Sequence, residues 1–214
     1  MKLNIIEIFA SVQGETSFTG LPTTFIRLAS CNLRCTWCDT SYSFGRGTPV
    51  SIDAILEKVK ANGCRHICIT GGEPLLQENV YPLMEELLKA GYLLSLETGG
   101  SLSIAKVNSQ VTIVLDIKCP GSGMSHKNLK ENLDFLPAHS EVKFVILDRK
   151  DYDFAKTICE QHHLYTRSKE VLFSPVFNQL EAKTLVKWIL EDNLPVRLNL
   201  QMHKFIWEPS TKGV

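Results

Sequence analysis

Short apolar runs alternate with amphipathic stretches along nearly the whole chain. Leu3–Phe9 and Thr23–Leu28 are rich in Ile, Phe and Thr and predict strands. Ser51 is a good N-cap, Ile52, Ile55, Leu56 and Val59 follow at helical spacing, and Gly63 stops the helix. His66–Thr70 predicts a strand. Val80, Leu83, Met84, Leu87 and Leu88 form the next helical stripe, closed by Gly91. Tyr92–Glu97, Val111–Ile117 and Glu141–Leu147 predict three further strands. Asp151–His163 predicts a helix with Phe154, Ala155 and Ile158 inward. Val171–Ser174 predicts a strand, Leu180–Asp192 a helix carrying Leu185, Val186, Ile189 and Leu190, and Val196–Gln201 a last strand.

This alternation suits βαβ units and a parallel sheet. A complete eight-stranded barrel typically needs about 250 residues, so an incomplete α/β barrel or an open parallel sheet remains. Residues 1–214 read as one domain, with Ser30–Val50 and Gly121–Lys127 as irregular segments. Polar motifs cluster where strands end: Thr70-Gly71-Gly72-Glu73-Pro74, Glu97-Thr98-Gly99-Gly100, Asp116-Ile117-Lys118 and Ser174-Pro175. Ligands of parallel α/β folds bind at the carboxyl ends of strands, so one large site is expected there.

Charge narrows the function classes. Lys plus Arg and Asp plus Glu both number 23, and a zero net charge gives no support for a nucleic-acid-coating role. No apolar run reaches membrane-span length, and Glu7 comes too early for a signal peptide, so a cytoplasmic protein is expected. Seven cysteines in a reducing compartment suggest metal or redox chemistry rather than a disulfide framework.

Cys31-Asn32-Leu33-Arg34-Cys35-Thr36-Trp37-Cys38 places three thiolates within eight residues, after a predicted strand. Thiolates suit zinc or an iron–sulfur cluster. A structural zinc site needs a fourth ligand, and Cys64, Cys68, Cys119 and Cys159 show no paired spacing. Cys68 and Cys159 read as core fillers. A four-iron cluster on three cysteines would leave one iron open for an amino-acid chelate.

The C-x3-C-x2-C spacing, with Trp37 before the last cysteine, resembles the radical S-adenosylmethionine superfamily. Gly71-Gly72-Glu73-Pro74 matches that superfamily's glycine-rich motif for the cofactor's amino group, where Glu73 would add negative charge. Val12-Gln13-Gly14-Glu15, Arg27, Cys38-Asp39-Thr40 and Gln201-Met202-His203-Lys204 extend the likeness, and together the chain resembles the 7-carboxy-7-deazaguanine synthase family almost end to end.

The resemblance implies an incomplete parallel α/β barrel of the radical S-adenosylmethionine type. It implies a homodimeric, magnesium-dependent lyase that converts 6-carboxy-5,6,7,8-tetrahydropterin to 7-carboxy-7-deazaguanine with loss of ammonia, toward queuosine and other 7-deazapurines. Its electron donor would be reduced flavodoxin or ferredoxin, and no nucleic acid or membrane partner is implied. Cys31, Cys35 and Cys38 would hold a [4Fe-4S] cluster and Thr40 a magnesium ion. Trp37, Cys38, Asp39, Gly72, Asp116, Ile117, Lys118, Ser174, Pro175, Val176 and Phe177 would contact S-adenosylmethionine, although the family often has Ser-Pro-Lys where this chain has Asp116-Ile117-Lys118. Val12, Gln13, Gly14, Arg27, Thr70 and Pro209 would contact the pterin, with Arg27 on its carboxylate. Glu15, Glu73, Glu97, Lys143 and His203 are further candidate polar contacts, and no catalytic residue is implied beyond the cluster and the cofactor radical.

A glycyl-radical activase shares the cysteine motif and glycine-rich turn but has no need for Gln13-Gly14-Glu15, Arg27 and Asp39-Thr40. A zinc-binding module and a structural domain with incidental cysteines complete the alternatives. The tail, about 201–214, starts beside the other strand ends. Phe205, Ile206 and Trp207 are expected to pack down, as a lid over the substrate side or as a cap on the open barrel edge.

Overall fold

A computed structural model describes all 214 residues. The strands are β1 (Lys2–Val12), β2 (Pro22–Leu28), β3 (Thr48–Ser51), β4 (His66–Gly71), β5 (Leu93–Thr98), β6 (Thr112–Asp116), β7 (Glu141–Ile146), β8 (Glu170–Pro175) and β9 (Arg197–Leu198). The helices are α1 (Ile52–Asn62), α2 (Val80–Lys89), α3 (Asn132–Phe135), α4 (Arg149–Gln161), α5 (Leu164–Arg167), α6 (Ala182–Glu191) and α7 (His203–Ile206). Their caps follow the local sequence: the Ser51 hydroxyl accepts from Ala54 N–H, and Asp148 accepts from Lys150 and Asp151 N–H, so α4 starts two residues before the predicted Asp151.

One nine-stranded sheet runs in the order β3-β1-β2-β4-β5-β6-β7-β8-β9. From β2 onward every neighbour is parallel, and the order never reverses. Right-handed crossovers in such an order place every connecting helix on one face and let the sheet curl as a barrel does. The sheet stays open between β3 and β9, an incomplete barrel as expected.

The parallel sheet read from sequence is extended at one edge by antiparallel pairing. β1 pairs antiparallel with both β2 and β3, and β3 falls within the segment expected to be irregular. Thr48–Ser51 has no strong strand pattern of its own; the free edge of β1 recruits it.

Strand alternation divides the sheet into two faces. Ile26, Leu28, Ile67, Ile69, Leu94, Leu96, Ile113, Leu115, Val142, Phe144, Ile146, Val171 and Phe173 join the inward residues of α1, α2, α4 and α6 in one cluster of 35 buried side chains. Residues between them face the other way, including Arg27, Cys68, Thr70, Glu97, Asp116, Lys143 and Ser174. Cys159 is in the core as predicted, whereas Cys68 points to this second face beside Glu97. Leu190 is 72% exposed, because α6 buries only the Leu185 and Ile189 side of its stripe. All seven cysteines are free, and no helix is long and apolar enough to cross a membrane.

Candidate functional site

The second face of the sheet encloses a cavity of about 490 Å³ lined from β1 round to β8. Two loops complete it. The β2–β3 connection carries Cys31, Cys35 and Cys38, all half-buried. Thr36 fastens that loop by donating from its N–H to Ser122 O (3.2 Å) and from its hydroxyl to Gly121 O (3.0 Å). The β1–β2 connection turns inward, putting Gln13, Gly14 and Glu15 on the cavity wall. Beneath them Phe18 stacks on His66, with ring centroids 4.4 Å apart, and Ser17 N–H bonds the buried Glu141 carboxylate (3.1 Å).

The polar core of the cavity is a row of buried charges. Lys143 forms an ion pair with Glu15. Burial opposes the Lys143 charge, but Glu15, Asp116 and Glu97 outweigh it and hold the ammonium well above the usual lysine range. Burial likewise opposes the Glu15 charge, and Lys143 overrides it to keep this carboxyl low. Glu97 goes the other way: burial raises its carboxyl, against the pull of Lys143. It accepts from Gln13 Nε2 (3.3 Å), Cys68 Sγ (3.5 Å) and Thr70 Oγ1 (3.2 Å).

Arg27 donates from Nε to Glu7 at 2.7 Å, and Tyr42 steadies the same carboxylate from 2.8 Å. That fixes the guanidinium plane and leaves the two Nη groups of this cavity-lining residue without protein partners. Asp116 pairs through Oδ2 with Lys118 at 2.9 Å, while its Oδ1 is buried and without a partner.

The sequence-derived set converges. Val12, Gln13, Gly14, Glu15, Arg27, Cys31, Cys35, Trp37, Cys38, Asp39, Thr40, Thr70, Gly72, Glu97, Asp116, Lys118, Lys143, Ser174, Pro175, Val176, Phe177 and His203 all line the cavity. Three candidates do not. Ile117 follows β6 with its side chain in the core, between two residues that face the cavity, so only its backbone is left for a ligand. Glu73 is fully buried behind the wall, where it accepts from Leu75 N–H (3.0 Å), Gly99 N–H (2.8 Å) and Thr98 Oγ1 (2.9 Å). It ties the glycine-rich turn to the end of β5 rather than presenting charge to a ligand. Pro209 is exposed and away from the lining, where Val214 stands instead.

The tail also departs from expectation. Phe205 is 71% exposed and Ile206 51% exposed, and Trp207 is half-buried. What docks is the polar start of the tail. Met202 N–H donates to Gly14 O (2.9 Å), Gln201 Nε2 bridges Glu15 (2.8 Å) and Asp39 (3.0 Å), and Lys204 Nζ reaches Asp39 (3.1 Å). Burial opposes the Asp39 charge, but Lys204 and Gln201 keep its carboxyl below the usual range. Gln201 and Lys204, which belong to a marked motif but were given no contact of their own, line the cavity together with Phe9, Phe25 and Val145, which no motif marks. For Phe25 and Val145 the signal was available: each lies two residues along its strand from a marked residue, Arg27 or Lys143.

The donor set suits a cluster and an amino-acid-bearing nucleoside. Three thiols share one wall, yet no three His, Cys, Asp or Glu side chains converge as a single ion would require. Burial raises the Cys31 and Cys35 thiols, so ligation would release protons. At Gly72 a Cβ would lie 2.1 Å from Ser30 O, so only glycine lets these backbones meet beside the cysteine loop. The unpartnered Asp116 Oδ1 offers an acceptor for a ligand hydroxyl or ammonium.

Comparison with known proteins agrees. Residues 26–117 match the radical SAM superfamily model. The 7-carboxy-7-deazaguanine synthase of Koribacter versatilis is 46% identical over 99% of this chain and 100% of its own length. That of Chlorobaculum tepidum is 42% identical over 99% and 97%. The crystal structure of QueE from Escherichia coli shares the fold, with a TM-score of 0.76 at 24% identity over 95% of each chain. With the cysteine loop, the glycine-rich turn and the inward β1–β2 loop opening on one cavity, and with such identity along its whole length, the chain belongs to the 7-carboxy-7-deazaguanine synthase family of radical SAM enzymes.

Proposed function

We propose that this enzyme converts 6-carboxy-5,6,7,8-tetrahydropterin to 7-carboxy-7-deazaguanine and ammonia, as a step toward queuosine and other 7-deazapurines. One observation carries the reading: the three-cysteine loop and the Gln13, Arg27, Thr70 and Glu97 set open into the same cavity. When bound there, a [4Fe-4S] cluster on Cys31, Cys35 and Cys38 and S-adenosylmethionine supply a 5′-deoxyadenosyl radical able to take hydrogen from carbon.

The protein's own part is to hold the two reactants and keep water out. Trp37 and Asp39 from the cysteine loop, the Gly72 backbone, Asp116, Lys118 and the Ser174–Phe177 stretch form the cofactor wall. The free Nη pair of Arg27 suits the pterin carboxylate bidentately. Gln13 offers amide donor and acceptor to the pterin edge, with its own orientation set by Glu97. Gly14 stays bare because a Cβ would sit 2.3 Å from His203 Nδ1.

Thr40, whose hydroxyl lies 3.8 Å from Cys38 Sγ, is the magnesium contact we assign, with substrate oxygens and water as the other ligands. The docked Gln201–Lys204 segment acts as the lid on this side. We further assign residues 1–214 to one domain, the working unit to a homodimer, electron supply to reduced flavodoxin or ferredoxin, and the compartment to the cytoplasm, whose reducing conditions keep the ligand thiols available.

The test is an anaerobic assay with the carboxytetrahydropterin, dithionite, magnesium and S-adenosylmethionine. Absorbance of the deazaguanine product should rise with one ammonia per turnover. Brown protein that cleaves S-adenosylmethionine but makes no deazaguanine would refute the substrate.

A further inference from the structure

Asn199 lies just past β9, is 4% exposed and stands behind the cavity lining. Its backbone N–H continues the sheet by donating to Phe173 O at 2.9 Å. Its side chain reaches two walls at once. Oδ1 accepts from Thr16 N–H at 2.8 Å, and Nδ2 donates to Ser174 Oγ at 2.8 Å. Thr16 follows Gln13-Gly14-Glu15 directly, and Ser174 belongs to the proposed cofactor wall.

Both contacts set geometry that the local chain would not adopt unaided. Thr16 has φ of 70°, in the left-handed region that β-branched residues avoid. Its other bonds are local, from Phe18 N–H (3.2 Å) and Thr19 Oγ1 (2.7 Å), so the Asn199 amide is the one hydrogen bond tying it to distant chain. At Ser174 the amide N–H occupies a hydroxyl lone pair. The serine proton is then left to point at an acceptor in the cavity.

We propose that Asn199 is a positioning residue for both reactants: it holds Thr16 in the conformation that aims Gln13-Gly14-Glu15 into the cavity, and it orients the Ser174 hydroxyl as a donor to the cofactor. The inference rests on the function proposed above and deepens it, by linking the pterin wall and the cofactor wall through one side chain. The two arms separate by chemistry. An aspartate at this position keeps an acceptor for Thr16 but draws the Ser174 proton away from the cavity. A glycine at Thr16 adopts positive φ without help.

Steady-state assays on wild type, Asn199→Ala, Asn199→Asp, Ser174→Ala and the double variant Asn199→Ala/Thr16→Gly decide it, with iron content as a folding control. The readouts are KM for the pterin, KM for S-adenosylmethionine and 5′-deoxyadenosine released per product. Asn199→Ala should raise both constants about tenfold and raise deoxyadenosine per product. Asn199→Asp should raise only the cofactor constant, as Ser174→Ala does. The double variant should recover the pterin constant and leave the cofactor constant high. Both constants within twofold of wild type in Asn199→Ala, or both moving together in Asn199→Asp, would overturn the proposal. If Asn199→Ala does not fold, the Asp variant compared with Ser174→Ala is decisive by itself. A wild type that makes no deazaguanine would instead sink the proposed function, and the S-adenosylmethionine constants of wild type, Asn199→Asp and Ser174→Ala for release of 5′-deoxyadenosine would still test the Ser174 arm.

Discussion

The two faces of the sheet are built from the same strands and are both removed from water, yet they are opposites. On β5, Leu94 and Leu96 enter the 35-residue apolar cluster, while the alternating Ser95 and Glu97 lie on the opposite, cavity-side face, Glu97 in the lining and Ser95 against His66. On β7, Val142, Phe144 and Ile146 pair with the helices, while Glu141 and Lys143 look inward. Burial on the helix side is favourable by itself, at about 25 cal/mol per Å² of apolar surface. Burial on the cavity side is tolerated only because Lys143, Glu15, Glu97 and Glu141 find partners. Apolar residues of similar volume would often serve stability as well or better. Parallel strands covered on both faces usually read as continuous apolar runs, so interleaved charge on buried strands is the mark of a working face.

The comparison breaks most completely at the cysteine loop. Cys35→Ala removes one of three thiols on the cavity wall, whereas Cys159→Ala removes one from the core. The first should abolish iron binding and turnover. The second should keep both, at a cost in melting temperature alone. Iron analysis after anaerobic purification, with the product assay, reads both outcomes.

Most of the cavity wall is legible in the sequence because it is locally encoded. The cysteine spacing, the glycine-rich turn and the strand ends are each contained in a few consecutive residues. What escaped depends on distant pairing. β3 is a strand only because the edge of β1 accepts it. Asn199 meets Thr16 across 183 positions, and Gln201 meets Asp39 across 162. A motif also carries no information on strand alternation. Ile117 came into the candidate set with its neighbours, and its side chain points to the core between them, which leaves its backbone for a ligand contact. At the tail, hydrophobicity suggested that Phe205 and Ile206 would be buried, but the polar anchors Gln201, Met202 and Lys204 hold the segment instead.

Arg27 is the next largest lever. Its Glu7 anchor leaves two Nη groups for a carboxylate, and removing such a partner from a buried charge costs on the order of 2–5 kcal/mol. Arg27→Ala should therefore raise the pterin KM steeply while S-adenosylmethionine binding is spared. A pterin constant that stays put would reduce Arg27 to a brace for Glu7 and Tyr42.

A neighbouring pair sharpens the contrast between the faces. Leu96 is fully buried in the core cluster, and Leu96→Ala should cost about 3 kcal/mol of unfolding free energy, since it removes packing and leaves a cavity. The substrate constants should stay near wild type. Glu97→Gln keeps the side-chain volume and the hydrogen-bonding capacity toward Gln13 and Thr70, so denaturation should shift little while product formation falls severalfold. If the two variants instead damage stability and activity in the same proportion, the division of labour between the faces is wrong.

The mildest test lies at the bottom of the cavity side. His66 is 3% exposed, stacked on Phe18, with Nδ1 2.8 Å from Thr23 Oγ1 and Nε2 3.0 Å from Ser95 Oγ. Burial lowers its pKa to about 4, from an ordinary 6.5. The unfolded chain therefore binds a proton below pH 6.5 that the folded protein refuses until about pH 4. Lowering the pH across that window favours unfolding, so the contribution is complete above pH 6.5 and lost as pH falls through the folded value. The slope is about 1.4 kcal/mol per pH unit, or roughly 3 kcal/mol across the window. Carboxylates titrate in the same range, so the informative quantity is the difference between wild type and His66→Gln. Urea denaturation of the two proteins at pH 7.0 and at pH 5.0 should show wild type losing more stability than the variant on acidification, whatever their order at neutral pH. Parallel losses in the two proteins would mean that this histidine already takes up its proton in the folded state, through an opening of the Phe18 loop at the base of the barrel.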